Sequence, residues 1–452
     1  MASRKGKFKK VLNNWDVFLL SFGAMIGWGW VVMSGTWITS AGSLGAALAF
    51  VIGGVLVVFV GLTYAELSSA MPFVGGEHVY VERALGNKST FIASWAITFG
   101  YVSVIAFEAV ALPTVITYLF PNYEVGYMWT IAGWDVYLSW VIVGMVGSII
   151  MAGINYFGVK PAAKVQIILT LSIFIVGIML ITGSGFGGSV ANMEPFFVDG
   201  AGGIMAVLVL VPFLFVGFDV IPQAAEEANI EPRKIGKLLI LSVVAAILFY
   251  IGVTFAVSLA LPAASLEGSE LATADAMGAA FGSPVFANVL ILGGVAGILT
   301  SWNAFIVGAT RIIYAMAESR MLPSWFSKIH PKYGTPSNAI IFIAVLSVVS
   351  PLLGEPALDW FATAGGLGIV VAYFLVAISF VILRRREPEM ERPYRAGNSQ
   401  FIGFTAIVMS FGFIVLYMPG MPSALFNIEW IIVFGWSLLG LVFYLNFLRQ
   451  KG

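Results

Sequence analysis

Twelve apolar stretches, each close to or above the ~20 residues needed to cross a hydrocarbon core, leave this 452-residue chain few ways to fold. They run at roughly 16–40, 43–69, 91–119, 134–155, 162–183, 203–224, 237–262, 284–316, 337–353, 358–383, 401–419 and 428–448. In lipid the backbone must satisfy its own hydrogen bonds, so such stretches are helices. The shortest, 337–353, is separated from its successor by "LLGEPALD", whose Gly-Glu-Pro punctuates a turn. Basic residues then orient the chain. With the N-terminus inside, all 23 lysines and arginines fall in cytoplasmic segments, and the outer loops hold only acids such as Glu124, Glu194, Asp199, Glu267 and Asp275. The bias is normally an excess; here it is complete, and gaining or losing one span would scramble it. Twelve spans with both termini cytoplasmic are therefore expected.

Composition agrees. The chain is 60% hydrophobic and 10% charged, against about 25% charge in a soluble globular protein. Basic and acidic residues balance at 23 each, which gives no sign of a nucleic-acid surface. There is no cysteine, which excludes disulfides and thiol chemistry. Two histidines, His78 and His330, are too few for a histidine-built metal centre. The basic start "MASRKGKFKK" looks like the head of a signal peptide, but the apolar run behind it is too long and lacks a cleavage pattern, so it reads as a retained span.

Two spans are built to break. The first holds "FGAMIGWGWVVMSG", with Gly23, Gly27, Gly29 and Gly35. The sixth, "VLVLVPFLFVGFDVIPQAAEE", holds Pro212, Gly217, Asp219 and Pro222. Counting five spans per half, the two occupy equivalent positions, and an odd number of spans per half inverts the repeat. Paired Gly/Pro-interrupted spans are the best sequence pointer to a transporter's binding site. Unwound N–H groups at a half-helix suit an anion and free carbonyls suit a cation, so the breaks fit a zwitterion or an amine. Gly23 and Gly27 also fit close helix packing through small residues.

At these residues the chain resembles a known family. "GAMIGWGWVVMSG" is similar to the first-helix motif of the amino acid–polyamine–organocation superfamily permeases, of amino acid permease type. "ELSSAMPFVGGEHVYVERALG" (66–86), "FVGFDVIPQAAEEANIEPRKIGK" (215–237) and "NAFIVGATRIIYAMAESRMLP" (303–323) resemble that family's second-helix, sixth-helix and eighth-helix motifs, in order. The resemblance implies an all-α membrane protein with the leucine-transporter-like five-plus-five inverted repeat. Residues 1–15 would be a cytoplasmic segment, 16–183 and 203–383 the two repeats, and 401–448 helices eleven and twelve. It also implies secondary transport of an amino acid or related amine. One position departs: Trp28 stands where the family usually has Ser or Thr near the substrate carboxylate. It either packs away from the site or fills part of the pocket.

The expected substrate site takes Met25, Ile26, Gly27, Trp28 and Gly29 from the first break and Phe213, Phe215, Gly217, Phe218 and Asp219 from the second. Glu108 in "IAFEAVALP" and Asn303 complete it. Ionisable groups deep in a span are functional by default. Glu108 and Asp219 can each carry a proton or bind a substrate ammonium. In the family an acid at the place of Asp219 is connected with proton-linked gating, and an aromatic at Phe213 or Phe215 caps the substrate. Glu66 and Asp135 read as interfacial, Arg384–Arg386 as topology, and Glu226 and Glu227 with Arg233 and Lys234 as an inner-gate region.

A coupling-ion site is legible in "GVAGILTSWNAF". Gly297, Thr300 and Ser301 share one helix face. With carbonyls of Gly23 and Ile26 they give five oxygens, a set that suits a hard cation such as Na+ and matches the second sodium site of leucine-transporter-like proteins. Some proton-coupled relatives place a fifth-helix Lys there; here "KVQIILTLSIFIVG" has its Lys164 at the shallow end and an apolar middle.

The expectation is a cation-coupled symporter in the cell membrane, with Na+ or H+ as the ion, a small-molecule substrate and no organic cofactor. An exchanger and a passive channel share the same cavity. An enzyme lacks a nucleophile–base pair or metal set, and no ATP-binding motif points to primary transport. A nutrient receptor would be expected to carry a signalling domain. A six-plus-six facilitator fold would need a long basic loop after span six. Oligomeric state has no signature.

Overall fold

The computed structural model describes residues 10–120, 122–269 and 271–449. Arg4, Lys5, Lys7, Lys9 and Lys451 lie outside the described residues. The chain is almost wholly helical. The broken first span is α1 (Asn14–Met25) and α2 (Gly29–Ala41), followed by α3 (Ser43–Ala70), a short α4 (Glu77–Leu85) and α5 (Asn87–Leu119). A hairpin, β1 (Tyr127–Ile131) and β2 (Trp134–Tyr137), precedes α6 (Leu138–Phe157) and α7 (Val159–Gly187). The sixth span is divided into α8 (Gly200–Leu208), α9 (Val211–Phe215) and α10 (Val220–Gln223). Then come α11 (Pro232–Ala260), α12 (Ala263–Leu266), α13 (Ala272–Phe281), α14 (Pro284–Glu318), α15 (Ser337–Val349), α16 (Ala357–Arg386), α17 (Ser399–Leu416) and α18 (Asn427–Arg449).

Among the described residues ten helices, counting α8–α10 as one, are long and apolar enough to span a membrane. The bent α1–α2 pair adds an eleventh. A shorter apolar helix stands at Ser337–Leu353, where the ninth span is expected. Burial is graded. The windows on α5, α14 and the sixth span are 72%, 78% and 83% buried, whereas that on α18 is 11% buried. The broken spans are thus at the centre, and α18 is the most exposed of these helices.

The fourth span starts later than expected. Residues 134–137 alternate in a strand, and Asp135 accepts a hydrogen bond from Thr130 Oγ1 at 2.6 Å across the hairpin. The reason is local. Ala132 and Gly133 both have positive φ, the geometry of a two-residue hairpin turn.

Buried ion pairs tie the loops down. Glu66, near the C-terminal end of α3, is fully buried. It receives Arg392 Nε at 3.1 Å, the Ala396 N–H at 2.9 Å and the guanidinium of Arg384. Arg392 and Ala396 thereby tie the segment after α16 to α3, and Arg384 ties the end of α16 itself. Glu227 pairs with Arg311 of α14 at 2.8 Å, both 2% exposed or less, rather than with Arg233 or Lys234. Its carbonyl accepts the N–H groups of Val11 and Leu12, strapping the N-terminal segment to the end of the sixth span. Removing one partner of such a pair leaves an uncompensated buried charge. Arg311→Met is therefore expected to cost about 3–5 kcal/mol, seen as a lowered unfolding temperature in detergent. An undiminished temperature would show that the pair holds nothing.

At the surface, Arg83 Nε donates to Glu387 at 2.9 Å, joining α4 to the end of α16. These hydrogen bonds hold the Glu387 carboxyl below its usual range. A depressed carboxyl stabilises above the ordinary glutamate value and ceases to as pH falls through its lowered one. Glu387→Gln should flatten the acid limb of a melting-temperature profile, which otherwise falls in that window.

Candidate functional site

The first break begins with a helix that starts and stops by design. Asn13 caps α1, accepting from the N–H groups of Trp15 and Asp16, and Asp16 returns a bond to the Asn13 N–H. At the other end Ile26, Gly27 and Trp28 leave the helix before α2 resumes. In the sixth span Pro212 starts α9, and Gly217 takes φ +134°, a backbone that L side chains rarely adopt.

The two breaks touch. A Cβ on Gly217 would lie 2.7 Å from Ala24 Cβ and 3.0 Å from Met25 N. Tyr250 of α11 bridges them, its hydroxyl lying 2.8 Å from the Met25 carbonyl and 3.2 Å from the Leu214 carbonyl. Carbonyls freed by unwinding need such partners.

Between the breaks lies a cavity of about 20 Å³, lined by Met25, Gly27, Trp28, Gly29, Glu108 and Phe213 among others. That is space for roughly one water, so admitting anything larger requires the half-helices to part. Glu108 is 2% exposed. It accepts from Ser301 Oγ of α14, and its Oε2 has no partner among the described residues. A Cβ on Gly27 would meet Ser301 Oγ at 2.5 Å and Glu108 Oε1 at 3.2 Å, so only glycine lets the carboxyl come this close. Phe213 packs on Phe107 of α5, ring centroids 5.3 Å apart, closing one wall. The Trp28 ring seats in a notch at Gly294, where a Cβ would meet it at 1.9 Å.

Other expected site residues lie around the cavity rather than on it. Ile26 is fully buried and gives its N–H to the Phe22 carbonyl. Phe215 packs on Phe50 and Tyr250, and Phe218 on Tyr64 and Tyr373. Asp219 turns back to accept the Gly217 N–H at 2.9 Å. Asn303 bonds Asn155 of α6 and Gln166 of α7, both at 2.9 Å.

Four of the five proposed ion-ligating oxygens, all but the Ile26 carbonyl, gather at α14. Thr300 Oγ1 is 3.1 Å from the Gly23 carbonyl and 2.8 Å from the Gly297 carbonyl. Ser301 Oγ is 3.0 Å from the Gly297 carbonyl and also reaches Glu108, so it joins the ion set to the carboxyl. The middle of α7 is not purely apolar on this side. Gln166 and Thr170 lie directly against Gly23. Tyr250, Asn155 and Gln166 are the neighbours that sequence reasoning missed.

The family model for amino acid permeases matches residues 12–443, nearly the whole chain. The chain belongs to the amino acid permease family. It is accordingly a multi-pass membrane transporter and not an enzyme. Across 99% of the chain and 95% of the relative, it is 27% identical to a branched-chain amino acid permease of Bacillus subtilis. It is 24% identical to a methylthioribose transporter of the same organism over the same shares. It is 26% identical to a B. subtilis aspartate–proton symporter over 90% of the chain and 80% of that protein.

Proposed function

We propose that this permease is a secondary active transporter of an amino acid or related small amine, working by alternating access in the cell membrane with a proton as the coupling cation. Its layout is twelve spans with both termini cytoplasmic. Two inverted five-helix repeats, 16–183 and 203–383, carry the site between their broken first helices, and 401–448 lies outside the repeat. Glu108 carries the reading. It is a carboxyl walled off from water, on the cavity between two helix breaks, with one oxygen open to a ligand or a proton. The unwound N–H groups of Gly27, Trp28 and Gly29 suit a substrate carboxylate, and Glu108 suits its ammonium. Proton binding at Glu108 then gates that ammonium site. Asp219 is a second proton candidate, one break further along. A relative named as a proton symporter supports the choice of ion.

A sodium reading is favoured by one observation, the gathering of Thr300 Oγ1 and the Gly23 and Gly297 carbonyls. Uptake of an amino acid and amine panel into proteoliposomes, with sodium or choline outside, separates the two. Stimulation by sodium that Thr300→Ala and Ser301→Ala abolish would replace the proton by sodium. Unchanged uptake in choline, driven by an inward proton gradient, is the expected result.

A further inference from the structure

α1 ends at the break with no basic side chain in its last turn, although a helix C-terminus carries partial negative charge. Neutral donors meet its carbonyls instead. The Ile26 N–H bonds Phe22 at 3.0 Å, Thr300 Oγ1 bonds Gly23 at 3.1 Å, and Tyr250 bonds Met25 at 2.8 Å.

A further donor waits against the same turn. Gln166 is 1% exposed, and its Nε2 has no hydrogen-bond partner among the described residues. A Cβ on Gly23 would lie 2.8 Å from that nitrogen. The orientation of the amide follows from a relay across three helices. Asn155 Nδ2 donates to the Met151 carbonyl at 3.0 Å and to Asn303 Oδ1 at 2.9 Å. A backbone carbonyl only accepts, so the Asn155 nitrogen must face it. The Asn303 atom opposite is then oxygen, and Asn303 Nδ2 donates to Gln166 Oε1 at 2.9 Å. The relay thus ends with the free N–H of Gln166 at Gly23.

We propose that Gln166 is a positioning residue of the transport cycle: the N–H that Asn155 and Asn303 aim at Gly23 docks the carbonyl end of α1 as that half-helix moves, doing with a neutral amide what a bound cation does at such an end. A buried donor without an acceptor is unfavourable, so it favours an α1 position in which one of the carbonyls of residues 22–25 reaches it. A metal ion at Thr300 and Ser301 is then unnecessary. The inference rests on the alternating-access reading and deepens its choice of ion.

The test compares the unaltered protein with Gln166→Leu, which keeps the bulk, and Gln166→Lys, which restores a donor. Backbone hydrogen exchange is followed over residues 14–27 in sodium chloride and in choline chloride, beside tritiated leucine uptake. Gln166→Leu should speed exchange there by about tenfold, the scale of one lost hydrogen bond, and lower uptake. Gln166→Lys should recover both, and the unaltered protein should exchange alike in the two salts. Three results would each overturn the proposal: Gln166→Leu exchanging like the unaltered protein, Gln166→Lys failing with Gln166→Leu, or sodium alone slowing exchange over 14–27. If the unaltered protein takes up no leucine, leucine fails as a substrate, while the exchange comparison still decides on Gln166.

Discussion

Gly217→Ala abolishes uptake while the protein still reaches the membrane and elutes as a single species: that is the expected result at the point where the breaks meet. The added methyl has nowhere to go, with Ala24 Cβ at 2.7 Å and the Met25 nitrogen at 3.0 Å. It must also adopt φ +134°, a region costly for any residue with a Cβ. The backbone responds by separating the breaks, and a displacement near 1 Å in a positioned site costs on the order of 100-fold. Gly29→Phe is expected to do the same by filling the cavity, since only Leu214 Cδ2 yields in front of it. Initial rates in proteoliposomes, normalised to reconstituted protein, measure both. Normal rates in either variant would remove the paired breaks as the site.

Glu108→Gln carries the second large effect. The amide keeps the shape and can still bond Ser301, but it holds no exchangeable charge. For one proton per substrate, each unit of pH gradient is worth about tenfold accumulation, since 1.36 kcal/mol corresponds to one pK unit. The unaltered protein should approach that ratio. Glu108→Gln should stop at equilibration and lose its pH dependence, while any exchange it retains no longer responds to the gradient. Accumulation by Glu108→Gln equal to that of the unaltered protein would move proton coupling elsewhere, with Asp219 next to examine.

Sequence reasoning reached the helices and the breaks because both are local. Apolar runs, Pro212, Gly217 and the Gly27–Trp28–Gly29 step each act on their own few residues. Glu108 was legible too, because a carboxyl at that depth demands a reason. The partners were harder to see. Tyr250 sits in an apolar run and looks like any core aromatic until α11 brings its hydroxyl to two carbonyls 225 and 36 residues away in sequence. Asn155 and Gln166 each look like a lone polar residue, and their meaning appears only when Asn303 joins them from α14. The partners of Glu66 and Glu227 were out of reach for the same reason, because Arg384 and Arg311 lie far along the chain. The hairpin at 127–137 is the one local signal that was passed over. Its alternation was hidden by the hydrophobicity it shares with the span behind it.

Trp28 illustrates the balance. Sequence left it either packing or filling the pocket. Its ring is held in the Gly294 notch, and the residue lines the cavity beside Glu108.

The central claim is that a saturable, alternating site lies between the two breaks, and counterflow tests it most directly. Proteoliposomes are loaded with an unlabelled amino acid, diluted into a trace of the labelled one, and followed in time. An alternating-access carrier produces a transient overshoot of label above equilibrium, lost in Gly217→Ala. Label that rises to equilibrium without overshoot, at a rate that does not saturate, would mean a passive channel and would contradict the account.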